Sequence, residues 1–90
     1  MPTIRIPNPL RPYVNGQAEV AVSGTTVGEA MNDLMRQFPA FRPHLYKPDG
    51  TLRSFVNLFL EGRNIRDLQG MDTPLTPDSI LNLVPSIAGG

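Results

Sequence analysis

The sequence of 90 residues contains no cysteine and a single histidine, His44. Without cysteine, the chain has no disulfide framework, no thiolate metal site and no cysteine nucleophile. One histidine cannot complete a metal site by itself, and no titratable partner for His44 is visible in the sequence. We therefore expect a protein without a resident metal or cofactor, in which His44 is a surface or partly packed side chain.

Neither sign of charge dominates the sequence, and it has no long apolar run. Its 8 basic residues balance 8 acidic residues, and the arginines are scattered. This balance removes the nonspecific attraction to phosphate on which nucleic-acid-binding proteins depend. The apolar stretches reach only a few residues, whereas a membrane-spanning helix needs about 18 or more, and the N-terminus has no apolar signal region. We expect a cytoplasmic protein that binds neither nucleic acid nor a membrane.

Groups that could form a catalytic centre are missing as well. Catalysis needs convergent groups, such as a nucleophile beside a base or two carboxylates across a cleft. The acidic residues are spread singly, and the stretch GRNIRDLQG lacks the lysine and the hydroxyl of a phosphate-binding loop. A single sheet in a chain this short also leaves little volume for a substrate pocket. The sequence therefore favours a protein on which enzymes act, and not an enzyme.

The residues that are present suffice for one folded domain. Hydrophobic residues make up 40% of the chain and charged residues 18%, which is typical of a globular domain and not of a disordered segment. A chain of this length buries about 60–65% of the surface that it exposes when unfolded. One modest hydrophobic core is expected, with no room for a second domain.

Alternation of hydrophobic and polar residues predicts four strands. In TIRIP, Ile4 and Ile6 share one face, and QAEVAV alternates in the same way after a turn at Asn15-Gly16. FVNLFLEG carries hydrophobic residues on both faces, as a central strand does, and SILNLVP is the last strand. The residues of these two strands that are expected to face the core are Val56, Leu58, Leu60, Leu81 and Leu83.

One amphipathic helix is predicted between the second and third strands. Thr26 and Glu29 form a capping box at its start, and Pro39 ends it. We expect the methionines of this helix to fill the core. The hydrophobic residues that recur at the helical spacing i, i+3, i+4 are Val27, Ala30, Met31, Leu34, Met35 and Phe38.

Two segments are predicted to be irregular. Ala40–Ser54 is rich in turn-forming residues and is expected to be a loop, with a short helical turn near Arg42–Tyr46. The segment before the last strand contains prolines that forbid long regular elements. Ile65 and Leu68 are expected to anchor that segment.

The order of the elements predicts the fold class. One helix cannot cover both faces of the sheet, so it must pack across one face and leave the other to solvent or to a partner. This is an α+β roll of the β-grasp (ubiquitin-like) kind, with a mixed sheet of four to five strands and one main helix. The first and last strands need to be parallel neighbours in the middle of the sheet if both are to be buried. We expect the domain to span residues 1–84 and residues 85–90 to form a flexible tail that ends in Gly-Gly.

The last two residues of the sequence, Gly89 and Gly90, could carry chemistry. A C-terminal carboxyl group titrates at about 3.3–3.7, so it is an anionic oxygen nucleophile at neutral pH. Its attack on the α-phosphate of ATP would give an acyl adenylate, and a sulfur donor could then displace AMP to leave a thiocarboxylate. Because glycines lack Cβ, the pair could pass through a channel too narrow for any side chain. We expect these two glycines to be the site of adenylation and of thiocarboxylate formation.

Four stretches give the whole chain a family resemblance: IRIPNPLRPYVNG, SGTTVGEAMNDL, RSFVNLFLEGRNIR and DSILNLVPSIAGG. The chain resembles the ubiquitin-like sulfur carriers of the MoaD/ThiS family, which include the molybdopterin synthase small subunit and the thiamine sulfur carrier. Within this family, FVNLFLEG followed by NIR, together with LRP near the start, makes the chain most similar to the sulfur carriers of the actinobacterial cysteine-synthesis pathway.

The resemblance implies a function and a set of partners. An E1-like adenylating enzyme would activate Gly90 and convert it to a thiocarboxylate. The thiocarboxylate would donate its sulfur in a PLP-dependent cysteine synthase that accepts an activated serine, or in another sulfur acceptor enzyme. A zinc metallopeptidase would then release the cysteine formed on Gly90. The alternatives are a sulfur carrier for molybdopterin or thiamine synthesis, a ubiquitin-like protein modifier joined to lysines, and a plain interaction domain.

An enzyme that receives the tail must also bind the domain. Ile87 and Ala88 would continue a docking surface on the domain toward the two glycines. A structural role, in which Phe59 and Val84 only fill the space between strands, is the alternative. The docking residues expected on the open face of the sheet are Phe55, Asn57, Phe59, Asn82 and Val84.

Overall fold

The computed structural model describes residues 1–85. In this part of the chain the strands are β1 (Thr3–Arg5), β2 (Glu19–Ala21), β3 (Val56–Leu60), β4 (Arg63–Asn64) and β5 (Ile80–Pro85). They form one mixed sheet in the order β2-β1-β5-β3-β4. β1 and β5 are parallel neighbours at its centre, and the other pairs are antiparallel. The predicted pairing of the first and last strands is therefore confirmed.

Helical segments connect these strands. The α-helices of the described residues are α1 (Val27–Gln37) and α2 (Arg42–Leu45). The 3-10 helices span Asn8–Val14, Pro39–Phe41, Ile65–Asp67 and Gly70–Asp72. α1 is the predicted main helix, and α2 occupies the position of the predicted short helical turn.

α1 begins where the capping box predicts. Thr26 Oγ1 accepts a hydrogen bond from Glu29 N at 3.2 Å, and Glu29 Oε1 accepts one from Thr25 N at 2.8 Å. The carboxylate thus binds the residue before the N-cap, one position further back than in the usual capping box. The bond from the Thr25 N–H lowers the pKa of Glu29. Gly24, at φ +149°, lies against this turn so closely that a Cβ would be 2.7 Å from Ala30 N.

The core lies between α1 and one face of the sheet. Ile4, Leu58 and Leu81, on three neighbouring strands, are at most 1% exposed. Burying a large aliphatic side chain contributes about 1.5–3 kcal/mol relative to leaving it exposed. Leu60, at the end of β3, is only half-buried. The α1 side chains buried in this core are Val27, Ala30, Met31, Leu34 and Met35. The β-grasp arrangement, with one main helix on one face of a mixed sheet, is confirmed.

The connecting segments bury more side chains than their sequence predicts. Val14, at the end of the 3-10 helix Asn8–Val14, is fully buried, and so are Phe41 and Leu45 in the segment predicted to be a loop. The ring of Phe41 stacks on that of Tyr13 at a centroid distance of 5.7 Å. These residues enter the core singly from short turns, so no hydrophobic period in the sequence marks them.

The segment before β5 is anchored differently from the prediction. Ile65 is buried at 4% exposure, as expected. Leu68 is only half-buried, and Met71 packs against the core in its place. The physical reason is the 3-10 helix Gly70–Asp72, which contacts α1 and turns Met71 inward.

Candidate functional site

The candidate site lies on the face of the sheet opposite α1, which we call the outer face. Strand register fixes which residues meet there. Val84 of β5 is opposite Asn57 of β3, and Asn82 of β5 is opposite Phe59. On its other side, Asn82 is opposite Arg5 of β1. Because successive side chains of a strand point to opposite faces, these five residues share the outer face.

Hydrophobic side chains are exposed at the end of the sheet where β5 finishes. Val84 is 43% exposed, and Phe55, just before β3, is 38% exposed. Phe59 is half-buried and lies diagonally across from Val84. We call Phe55, Phe59 and Val84 the apolar patch. Exposed hydrophobic groups of this kind mark surfaces that bind other molecules, and the two polar residues predicted for the docking surface, Asn57 and Asn82, lie among them and are half-buried.

A further exposed hydrophobic residue stands at the other end of β5. Ile80 is 39% exposed and is opposite Thr3 of β1. Ile80 is not among the predicted docking residues, although alternation along SILNLVP places it on the same face as Val84. Ile80 thus provides a natural comparison for Val84, with the same strand, the same face and a similar exposure.

A hydrogen-bond network fixes the backbone beside the apolar patch. Arg66 Nη1 donates to Asn57 Oδ1 at 2.9 Å, and Arg66 Nη2 donates to Val56 O at 3.1 Å and to Ser54 O at 3.4 Å. Asn64 Nδ2 also donates to Asn57 Oδ1, at 3.2 Å. These bonds join the segment after β3 to the start of β3. Asn64 and Arg66 both belong to the NIR triplet of the family resemblance, but neither is among the predicted site residues.

A shallow pocket lies on the β1 side of the patch. Its volume is about 260 Å³, and its lining includes Arg5, Arg11, Asn82 and Val84. Arg5 Nε pairs with Glu19 Oε2 at 3.1 Å, and both side chains are about half exposed. An exposed ion pair of this kind contributes at most about 1 kcal/mol. The pocket is open and cationic, and it adjoins the apolar patch.

The polar groups of the described residues do not form a catalytic arrangement. Among residues 1–85, no group of three or more histidine, aspartate or glutamate side chains could hold a metal ion. His44 is exposed on α2, as expected, and its ring lies 4.0 Å from that of Tyr13. The same part of the chain contains no helix with the length and apolarity that a bilayer span requires.

Four of the predicted site residues cannot be placed. Ile87, Ala88, Gly89 and Gly90 lie outside the described residues. β5 carries Val84 and ends at Pro85. Val84 is therefore the member of the apolar patch that lies nearest to these residues in the sequence.

Comparison with known proteins gives consistent matches. The profile of the ThiS family matches residues 4–90. The sulfur carrier protein CysO of Mycobacterium tuberculosis is 32% identical over 90 residues, which cover 98% of this chain and 97% of that protein. Small archaeal modifier protein 3 of Haloferax volcanii is 31% identical over 65 residues, covering 72% of this chain and 70% of that protein.

A solved structure extends the similarity to three dimensions. One chain in the crystal structure of the Amycolatopsis orientalis BexX/CysO complex superposes with a TM-score of 0.88 at 27% sequence identity. The superposition covers 100% of both chains. The strand topology, the family profile and the identity to CysO over nearly the full length therefore all indicate the same family.

Proposed function

The chain belongs to the ThiS family, and from this premise we propose that it is a sulfur carrier that bears the sulfur on Gly90 and donates it for cysteine synthesis. The observation that carries the proposal is the similarity to CysO, which spans nearly the whole of both chains. The family profile also extends through Gly90. A carboxyl group on that residue is therefore the proposed site of loading.

The proposed loading takes place in two substitutions. A carboxylate oxygen of Gly90 attacks the α-phosphorus of ATP, and pyrophosphate leaves, so that an acyl adenylate forms. A hydrosulfide ion released by a sulfur donor then attacks the carbonyl carbon, AMP leaves, and the sulfur loses its proton. The product is a thiocarboxylate whose sulfur is a stronger nucleophile than the original oxygen. Both steps need an adenylating enzyme as partner, because the described residues of this chain offer no catalytic group.

The proposed unloading transfers sulfur to a serine derivative. The thiocarboxylate sulfur forms a bond to the β-carbon of an activated serine in a cysteine synthase, and the activating group leaves, which gives a thioester. The amine of the new cysteine then attacks the Gly90 carbonyl carbon, the carbon–sulfur bond breaks and the sulfur leaves as a thiol, so that the cysteine is joined to Gly90 by a peptide bond. A zinc metallopeptidase would hydrolyse that bond and release the cysteine. Because the proposed reactions need ATP and these enzymes, we propose that the protein acts in the cytoplasm.

The outer face supports this proposal by offering a docking surface. Phe55, Phe59 and Val84 form the apolar patch on the strands nearest to Pro85, where the chain continues toward the glycines. A partner that covers the patch would hold the following residues near its own active site. We propose that the adenylating enzyme and the sulfur acceptor both bind this patch, one after the other.

A second candidate function is protein modification. The similarity to a small archaeal modifier protein favours it, because the name of that relative describes a protein modifier. In this case the activated carbonyl of Gly90 would be attacked by a lysine amine, and an isopeptide bond would form. Isopeptide-linked Gly-Gly remnants on lysines in digested cell extract would support modification. Carriers for molybdopterin or thiamine synthesis are separated from cysteine synthesis by which acceptor enzyme co-purifies with the protein.

The experiment that tests the proposal measures the intact mass of the protein. The chain is incubated with the adenylating enzyme of the same organism, ATP and a sulfur donor. Exchange of one oxygen for sulfur is expected, localised to Gly90 by fragmentation. A variant that lacks Gly90 is the matched control and should keep its mass. An unchanged mass of the full chain would contradict the proposal.

A further inference from the structure

Two arginines flank the end of β5, and we call Arg11 and Arg66 the arginine rim. Arg11 lines the pocket that also contains Val84. Arg66 donates to the side chain of Asn57, whose partner across the sheet is Val84. The two members of the rim therefore flank the apolar patch, one from the β1 side and one from the β3 side.

Uncharged acceptors hold the rim in place. Arg11 Nε donates to Ile6 O at 3.0 Å. Arg66 is bound by a side-chain amide oxygen and by backbone carbonyls, as described above. Within residues 1–85, no carboxylate forms an ion pair with either arginine. Their positions are fixed while their positive charges are not neutralised.

Other arginines show the contrast. Arg5 pairs with Glu19, and Arg36 pairs with Asp33 at 2.5 Å. The charges of the rim, in contrast, are not paired, and Arg11 is half-buried, where a charge is screened less than on an open surface.

The carboxylate of Glu19 on β2 lies opposite Arg5 and is paired with it. Glu61 lies in the turn after β3, and Asp78 precedes β5, whereas the rim flanks the end of β5. Asp67 follows Arg66 in the chain and forms no ion pair with it among the described residues. A chain with balanced total charge therefore has an uneven distribution, with positive charge at the exit of β5.

We propose that the partner enzymes present an apolar recess surrounded by carboxylates, which receives the apolar patch while the arginine rim pairs with those carboxylates. This inference rests on the proposed function, since it describes the surface of the same partners. Guanidinium groups bind carboxylates well because their N–H donors form a fixed fork.

A protein is favoured over a phosphate as the ligand of the rim. A phosphate group would neutralise the arginines but would leave Phe55 and Val84 exposed to water. A protein surface with a hydrophobic centre and a charged border matches both features together. Opposite charges across such a surface chiefly accelerate association.

The test measures the rate at which the domain associates with the adenylating enzyme of the same organism. Arg11→Gln and Arg66→Gln each remove one charge of the rim. We expect each to slow association about three- to fivefold at low salt, with a smaller effect on dissociation. The wild-type rate should fall as salt rises from about 0.05 to about 0.5 M, since screening shortens the range of the attraction.

Two controls separate charge from folding. Arg63→Gln removes a charge from β4, next to Leu60 and away from the end of β5, and should leave the rate unchanged. Arg11→Lys keeps the charge and should restore most of the rate that Arg11→Gln loses. Thermal unfolding of each variant shows that the domain is folded at the temperature of the rate measurement.

Three results would overturn the inference. The first is association that does not depend on salt, and the second is an equal effect of Arg63→Gln and the rim variants. The third is a shift of the rim arginine signals in NMR when ATP is added without enzyme, since this would make phosphate the ligand. The proposed function is judged separately, because thiocarboxylate formation at saturating enzyme concentration does not depend on the rate of association.

Discussion

Replacement of Val84 by aspartate tests the docking surface most sharply. Val84 lies on β5 in the apolar patch and is 43% exposed, so a partner that covers it buries the remaining part of the side chain. Val84→Asp places a carboxylate at that point. It should weaken binding of both the adenylating enzyme and the cysteine synthase, because both are proposed to bind the patch.

The expected size follows from the exposure of the side chain. Complete burial of valine contributes about 1.5–3 kcal/mol, so the exposed 43% corresponds to about 0.6–1.3 kcal/mol on docking. Burial of the introduced carboxylate in the partner's apolar recess adds about 1–3 kcal/mol of desolvation cost. The total of about 2–4 kcal/mol corresponds to a Kd raised about 30- to 1,000-fold. Val84→Ala should lose only the apolar part, or about three- to ninefold.

Ile80→Asp is the matched control for this change. Ile80 lies on the same strand and face and is 39% exposed, but it stands at the opposite end of β5. Isothermal titration calorimetry gives the Kd of each variant, and thermal unfolding gives its stability. The reasoning is refuted if both substitutions weaken binding equally or if Val84→Asp leaves the Kd unchanged.

Three further predictions concern the domain itself. Gly24→Ala should lower the free energy of unfolding by about 1–3 kcal/mol, because its Cβ would lie 2.7 Å from Ala30 N; an unchanged urea midpoint would contradict this. The pKa of Glu29 is lowered by its bond from the Thr25 N–H, so this contribution to stability is present above the unfolded-state pKa and is lost as the pH falls through the folded-state pKa. Glu29→Gln should therefore lose less stability than wild type between pH 7 and about pH 3, and equal acid sensitivity in urea unfolding would show that the bond contributes nothing. Arg66→Ala should speed hydrogen exchange at the start of β3, where Arg66 binds two carbonyl groups, whereas Arg63→Ala should not, and equal exchange in the two variants would contradict the bracing role.

The sequence predicts those parts of the fold that repeat a pattern. The hydrophobic residues of α1 recur at a helical spacing, and Ile4, Leu58 and Leu81 belong to alternating strands, so local periodicity assigns them to the core. Phe41 has no such pattern around it, because it enters the core alone from a 3-10 turn. Its burial depends on contact with Tyr13, which is distant in sequence.

The residues of the candidate site likewise differ in whether the sequence predicts their role. Phe59 and Val84 follow from alternation once their strands are identified, since alternate residues share a face. Arg66 does not, because its role depends on bonds to Asn57 and Val56, which are on another element. The charge of the arginine rim is also invisible in the sequence, since scattered arginines become neighbours only when the sheet assembles.

The central claim is that the carboxyl group of Gly90 is the group that is loaded with sulfur. Intact mass spectrometry tests it most directly, on the protein isolated from its own cells and again after incubation with adenylating enzyme, ATP and a sulfur donor. The account predicts a mature protein that ends at Gly90 and gains one sulfur in place of one oxygen on that residue. A mature protein that retains residues past Gly90, or a mass that stays the same under loading conditions, would contradict it.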